Sequence, residues 1–253
     1  MAAVVVRALW GLTFGLVATF GLLVAAGAGM GPLQGLAAFL AGLAACYGAA
    51  RTAGEPPQEI RLSPRWAVPV TVASVVSLIA TLFLMHSLYE GIHGSPAPGL
   101  DIEGWAGLLR FLAGYAILVS LHELTHYAAF RYYGARPRFL LLVKPFPGAA
   151  VYADHHPLPR RAMLVVALAP AVALTLVFAA MLAVPELAVV AIWGAALNLA
   201  GAVVDFAMAA WLLCLPPGTW VEDLRDGIRV LQAGEAVGHS RAEGLPPATA
   251  ARG

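Results

Sequence analysis

The sequence predicts an all-α polytopic membrane protein with about six transmembrane helices, both termini on the cytoplasmic side, and a short interfacial β-hairpin near residues 139–152. Three observations carry that expectation. Of 253 residues, 60% are apolar and only 11% are charged, with a mean hydropathy of +0.80, whereas soluble domains carry roughly a quarter charged residues. Several separate stretches are apolar for long enough to span a bilayer. Lys and Arg fall in alternate connecting loops, as they do where short cytoplasmic loops retain them.

A spanning helix needs about 20 mainly apolar residues, and residues 4–26, 32–50, 66–89, 105–132, 161–184 and 186–215 can each supply them. The first stretch follows the pattern of a secretory leader, with Arg7 ahead of an apolar run that ends in small residues. Its apolar core exceeds the ~7 to 15 residues of a leader's hydrophobic region, so a retained helix is expected. Gly11 and Gly15, and then Gly27, Gly31 and Gly35, have the GxxxG spacing that lets helices approach closely. The loop "RTAGEPPQEIRLSPR" holds Arg51, Arg61 and Arg65; the segment after the fourth span holds Arg131, Arg136, Arg138, Lys144, Arg160 and Arg161; the tail holds Arg225 and Arg229. The intervening loops carry no Lys or Arg but do carry Glu90, Asp101 and Glu103. Arg110 alone stands on the outer side, where its long side chain can reach the interface.

Inside the loop 133–160, residues 139–143 and 149–152 are short apolar runs around a Pro and Gly turn, readable as the hairpin. From 216 onward the composition turns polar, and a short ordered piece around "TWVEDLRDGIRVLQ" is expected before a disordered end. The chain thus divides into N-terminal helices (1–103), a membrane core with its cytoplasmic loop (104–215) and a cytoplasmic tail (216–253). A net charge of +1 without a basic block excludes a nucleic-acid partner. Cys46 and Cys214 lack CxxC spacing and read as reduced packing residues.

The chemistry concentrates in "SLHELTHYAAF", residues 120–130. HExxH on a helix stacks His122 and His126 on one face, so both imidazoles can converge on one metal ion, with Glu123 beside it to take a proton from water. Each ionisable group at the bilayer centre costs about 2.5 to 3.5 kcal/mol, which disfavours a chance match. A catalytic zinc usually has three protein ligands, so a third is expected at the same depth. Asp205, in "AALNLAGAVVDFAMAAW", lies about as far from the cytoplasmic boundary as the histidines and is the candidate; a proton-relay or packing role is its alternative. Asn198, two turns earlier, is read either as a donor to the substrate carbonyl or oxyanion or as a hydrogen bond between helices. His155 and His156 are in the cytoplasmic loop, and His86 and His93 are at the outer end of the third span, so none is expected at the metal. The pattern HExxHxxGxxH fails at Ala129 and Tyr132.

HExxH in one span and Asp205 in a later one resemble the site-2 protease class of intramembrane zinc metalloproteases. Those enzymes place Gly after the aspartate, where this chain has Phe206. The closer likeness, over about 105–231, is to a family of membrane zincins in which HExxH is followed by Asn, Gly and Asp spaced as in "NLAGAVVD". The resemblance implies one Zn2+ held by His122, His126 and Asp205, Glu123 as general base, and peptide-bond hydrolysis. The expected partners are the lipid bilayer and a membrane-embedded or membrane-proximal polypeptide substrate, in a prokaryotic cytoplasmic membrane with the site toward the cytoplasm. The alternatives are a non-proteolytic zinc-binding sensor or scaffold, and a small proton-coupled transporter.

Overall fold

A computed structural model describes residues 3–25, 31–53, 58–61, 63–142, 148–225 and 227–231. Among them are seven α-helices: α1 (Ala3–Ala25), α2 (Pro32–Arg51), α3 (Ala67–His93), α4 (Gly104–Tyr132), α5 (Arg160–Met181), α6 (Ala188–Gly201) and α7 (Val203–Cys214). Four segments are long and apolar enough to cross a membrane, namely α2, Pro64–His93 (a 3-10 turn running into α3), α4 and α5. The bent pair of α6 and α7 qualifies as a fifth, and the apolar stretch Val4–Thr19 of α1 is shorter. Among the described residues, four or five of the six expected spans thus qualify by length and composition.

The GxxxG of α1 is in use. A Cβ on Gly11 would stand 2.6 Å from the Ala45 carbonyl oxygen, and one on Gly15 2.7 Å from the Ala45 Cβ. Without side chains at these two positions α1 and α2 pack backbone to backbone, with Leu9, Leu12 and Leu16 fully buried alongside. Gly27 lies outside the described residues.

The expected single helix over 186–215 is broken. α6 and α7 meet at 49° around Ala202. Gly201 weakens the helix at this point, and Ser77 of α3 donates its hydroxyl to the Leu199 carbonyl at 3.2 Å, taking over an acceptor that a continuous helix would satisfy internally. A distant side chain, invisible to local pattern, supports the bend.

The expected hairpin is present as β2 (Arg138–Leu142) and β3 (Gly148–Tyr152), antiparallel with Phe139 opposite Val151; Val143 and Lys144 lie outside the described residues. A second sheet, which the all-α expectation did not contain, has the order β1-β6-β5-β4. It joins β1 (Glu59–Arg61), β4 (Leu158–Pro159), β5 (Trp220–Leu224) and β6 (Gly227–Leu231). Its strands come from three arginine-bearing segments, so the loop before α3, the loop before α5 and the tail share one end of the bundle. The ordered piece expected in the tail is the β5–β6 hairpin; residues 232–253 lie outside the described residues.

Candidate metal centre

α4 carries His122, Glu123 and His126 without interruption, and its period brings the two imidazole rings to 5.0 Å between centroids. The bend between α6 and α7 puts Asp205 in the first turn of α7, a favourable place for a carboxylate because the orphan amides of a helix start attract negative charge. Asp205 Oδ2 lies 3.3 Å from His122 Nε2 and 3.7 Å from His126 Nε2. The ligand atoms of the three residues all fall within 4.8 Å of one another.

The hydrogen bonds behind the rings decide what this convergence means. His122 Nδ1 lies 2.9 Å from Asn198 Oδ1, and His126 Nδ1 lies 2.9 Å from the Val166 carbonyl oxygen. Both oxygens can only accept, so each Nδ1 bears the hydrogen and Nε2 is the nitrogen that a neutral ring would offer to a metal. Both Nε2 atoms and a carboxylate oxygen then face one point, which a metal ion can occupy or, without one, a proton shared between Nε2 and Asp205 Oδ2. The donor set fits a zinc site, with nitrogen and carboxylate ligands and both rings oriented from behind.

Pro170 in α5 contributes to both orienting bonds. Lacking an N–H, it leaves the Val166 carbonyl without its helical donor, and His126 takes that acceptor. Its own carbonyl accepts from Asn198 Nδ2 at 3.1 Å, and the same amide donates to Thr175 Oγ1 at 3.2 Å. Both amide hydrogens of Asn198 are therefore engaged and its oxygen holds His122. Of its two expected roles, the geometry supplies the bridge between helices, not a free donor toward substrate.

Glu123 borders a cavity of ≈ 360 Å³ that His122, His126, Asp205, Val151 and Asp223 also line. Its Oε2 is buried with no hydrogen-bond partner. A buried carboxylate oxygen without a partner beside a cavity calls for a proton, a water or an ion to satisfy it. A second cavity of ≈ 170 Å³ shares His122, Glu123 and Ala149 and extends to Asn198 and Tyr115.

The other histidines are engaged elsewhere. His86 and His93 bond the carbonyls of Leu82 and Leu182, His156 Nδ1 bonds the Asp154 carbonyl, and the His155 amide donates to Glu222. Asp223 is the residue that sequence reasoning missed. Burial pushes its carboxyl up to about 8, against the pull of nearby His126 and the Ala153 amide, with Asp154 and Glu222 adding to the rise. The period of two along β5 could have marked it, since Glu222 and Asp223 must face opposite ways.

No curated protein and no solved structure matches the chain. Residues 115–220, from within α4 through the β2–β3 hairpin and α5 to Asp205 and the first residue of β5, match the model of the family described as "Putative zincin peptidase".

Proposed function

We propose that this protein is a zinc-dependent intramembrane metalloprotease, akin to the site-2 proteases, that hydrolyses peptide bonds of membrane-associated polypeptides on the cytoplasmic side. One observation carries the reading: candidate ligand atoms of His122, His126 and Asp205 converge within 4.8 Å of one another beside Glu123, and all four residues line one cavity. His122, His126 and Asp205 would hold the ion. Bound there, zinc supplies Lewis-acid chemistry, polarising a carbonyl and lowering the pKa of water to about 7. The Glu123 carboxylate takes the proton of the attacking water and returns it to the departing amine nitrogen. Asn198 and the Val166 carbonyl keep both histidine rings in the ligating tautomer.

A helical peptide bond must unwind before water can reach its carbonyl, and β3 supports a docking edge for the extended segment. Ala149, Ala150 and Val151 of β3 line the cavity that also holds Glu123, so an extended segment laid along this strand would pass the carboxylate. Ala149 borders both cavities. The cytoplasmic placement rests on the sheet at this end of the bundle, whose strands belong to the arginine-bearing segments.

Glu123→Gln tests the reading in the zinc-loaded protein with a membrane-embedded single-span reporter. The variant should keep one zinc per chain and lose about 10²- to 10⁴-fold in hydrolysis. Undiminished cleavage overturns the assignment. A wild type that binds zinc and holds the reporter without cutting it favours a sensor or scaffold, and absence of stoichiometric metal favours a transporter.

A further inference from the structure

Arg110 is the cation that the alternation of basic loops does not explain, and the metal centre makes no use of it. It lies in the second turn of α4, ahead of His122 by about 18 Å along the axis. With 29 residues, α4 is about 44 Å long against a hydrocarbon core of ~30 Å, so its first turn reaches past the apolar layer. Exposed Trp105 in that turn marks the headgroup level, where indole rings collect. Arg110 thus stands just beneath the headgroups, where a cation is expensive without an anion. Among the described residues it has no hydrogen bond or ion pair.

Arg110 lines a cavity of ≈ 600 Å³ between α4 and α6, within the ~300 to 1,000 Å³ of ligand pockets. The body of this cavity is apolar. Phe111 and Leu118 of α4, Phe178 of α5 and Trp193 of α6 line it, and Phe111 meets Trp193 edge to face at 6.5 Å. Gly114 is on the same wall, and a Cβ there would meet nothing within 4 Å. The end nearest the start of α4 is charged with both signs, because Asp101, in the segment leading into the helix, lines the cavity with Arg110. Asp101 Oδ1 accepts the Glu103 amide at 3.0 Å, and no ion pair joins Asp101 to Arg110 among the described residues.

An apolar cavity whose headgroup-level end carries an unpaired cation and an unpaired anion matches a phospholipid that bears both a phosphate and an ammonium. An apolar peptide helix would leave both charges unmet, and a net-anionic lipid would set its charge against Asp101. A quaternary ammonium has no N–H to give the carboxylate, whereas a primary ammonium has three. We propose that this cavity holds an acyl chain of a phosphatidylethanolamine, with the lipid's phosphate on Arg110 and its ammonium on Asp101. The cavity of ≈ 170 Å³ beside Glu123 shares Tyr115, Leu118 and Leu197 with this one, so the acyl chain runs toward the metal centre. The site stands whether or not the protein cuts peptides.

Native mass spectrometry of the full chain, released from bilayers of equal parts phosphatidylethanolamine, phosphatidylcholine and phosphatidylglycerol, reads the occupant. A phosphatidylethanolamine with a photoreactive group in its acyl chain reads the place. The wild type should retain one phosphatidylethanolamine per chain, enriched about 10-fold over either competitor, and crosslink at Phe111, Leu118 or Trp193. Arg110→Gln should lower retention by about 10-fold or more, the loss expected for a hydrogen bond to a charged group, and Arg110→Lys should keep most of it. Asp101→Asn should leave a lipid bound and bring phosphatidylcholine level with phosphatidylethanolamine. Gly114→Leu fills the cavity and should abolish the crosslinks while the melting profile stays as in the wild type. Equal retention of the three lipids by the wild type overturns the proposal, as does retention unchanged in both Arg110→Gln and Gly114→Leu, or crosslinks that map elsewhere. A chain that dimerises in these bilayers and excludes the labelled lipid gives the face to a second copy instead.

Discussion

In α4 the helix runs unbroken through His122, Glu123 and His126, and its own period stacks the two rings; in α6 and α7 the helix stops at Ala202, three residues before Asp205. One half of the site therefore depends on geometry any helix has, and the other on contacts gathered from elsewhere: Ser77 of α3 at the break, and Pro170 and Thr175 of α5 around Asn198. The lesson is that the histidines are placed by the backbone, while their ligating state and their carboxylate partner are placed by packing.

Substitutions on the two sides should separate these contributions. The largest effect is expected from Asp205→Ala, which removes a donor atom; zinc affinity by competition with a chelator should fall by more than the roughly 100-fold ceiling seen for outer partners. Asn198→Ala frees the His122 ring to change tautomer, and the same measurement should show a loss of about 10- to 100-fold. Pro170→Ala returns an N–H to the Val166 carbonyl, which then shares its lone pairs between that amide and His126. Zinc affinity should drop by about 10-fold or less while thermal stability rises, since Pro in a helix interior is about 3 kcal/mol less favourable than Ala. A fall in both would break the comparison. A smaller effect belongs to Ser77→Ala, about 1 kcal/mol in chemical denaturation from one lost hydrogen bond. The matching Ser120→Ala on α4, whose hydroxyl bonds only its own helix at Ala116, should change stability by less than about 0.5 kcal/mol.

The same contrast explains what could be read from the residues alone. HExxH needs only five consecutive positions, and Asp205 is conspicuous as an acid inside an apolar run, so matching their depths in the bilayer is enough to bring the three together. The break at Ala202 cannot be read that way, because "NLAGAVVD" holds no proline and the acceptor at Leu199 is claimed by Ser77, 122 positions earlier. The hairpin β2–β3 has five residues in each strand and shows its apolar runs, whereas β1 has three residues and β4 two, too few for alternation to register. Asp223 is hidden for a related reason: in a charged tail a carboxylate looks like a solvated one until its strand neighbours are known.

The pairing of Glu59 with Arg229 across 170 positions gives the molecule a timetable. During synthesis every candidate metal donor has been made once Asp205 emerges, and the helices that carry them can insert and meet. The β5–β6 hairpin, with Asp223 on the wall of the cavity that holds Glu123, comes later, and a contact between such distant segments is slow to close. A chain halted before residue 220 carries every metal-site side chain and lacks one wall of the cavity. Translation thus separates the arrival of the candidate donors from completion of the cavity around them.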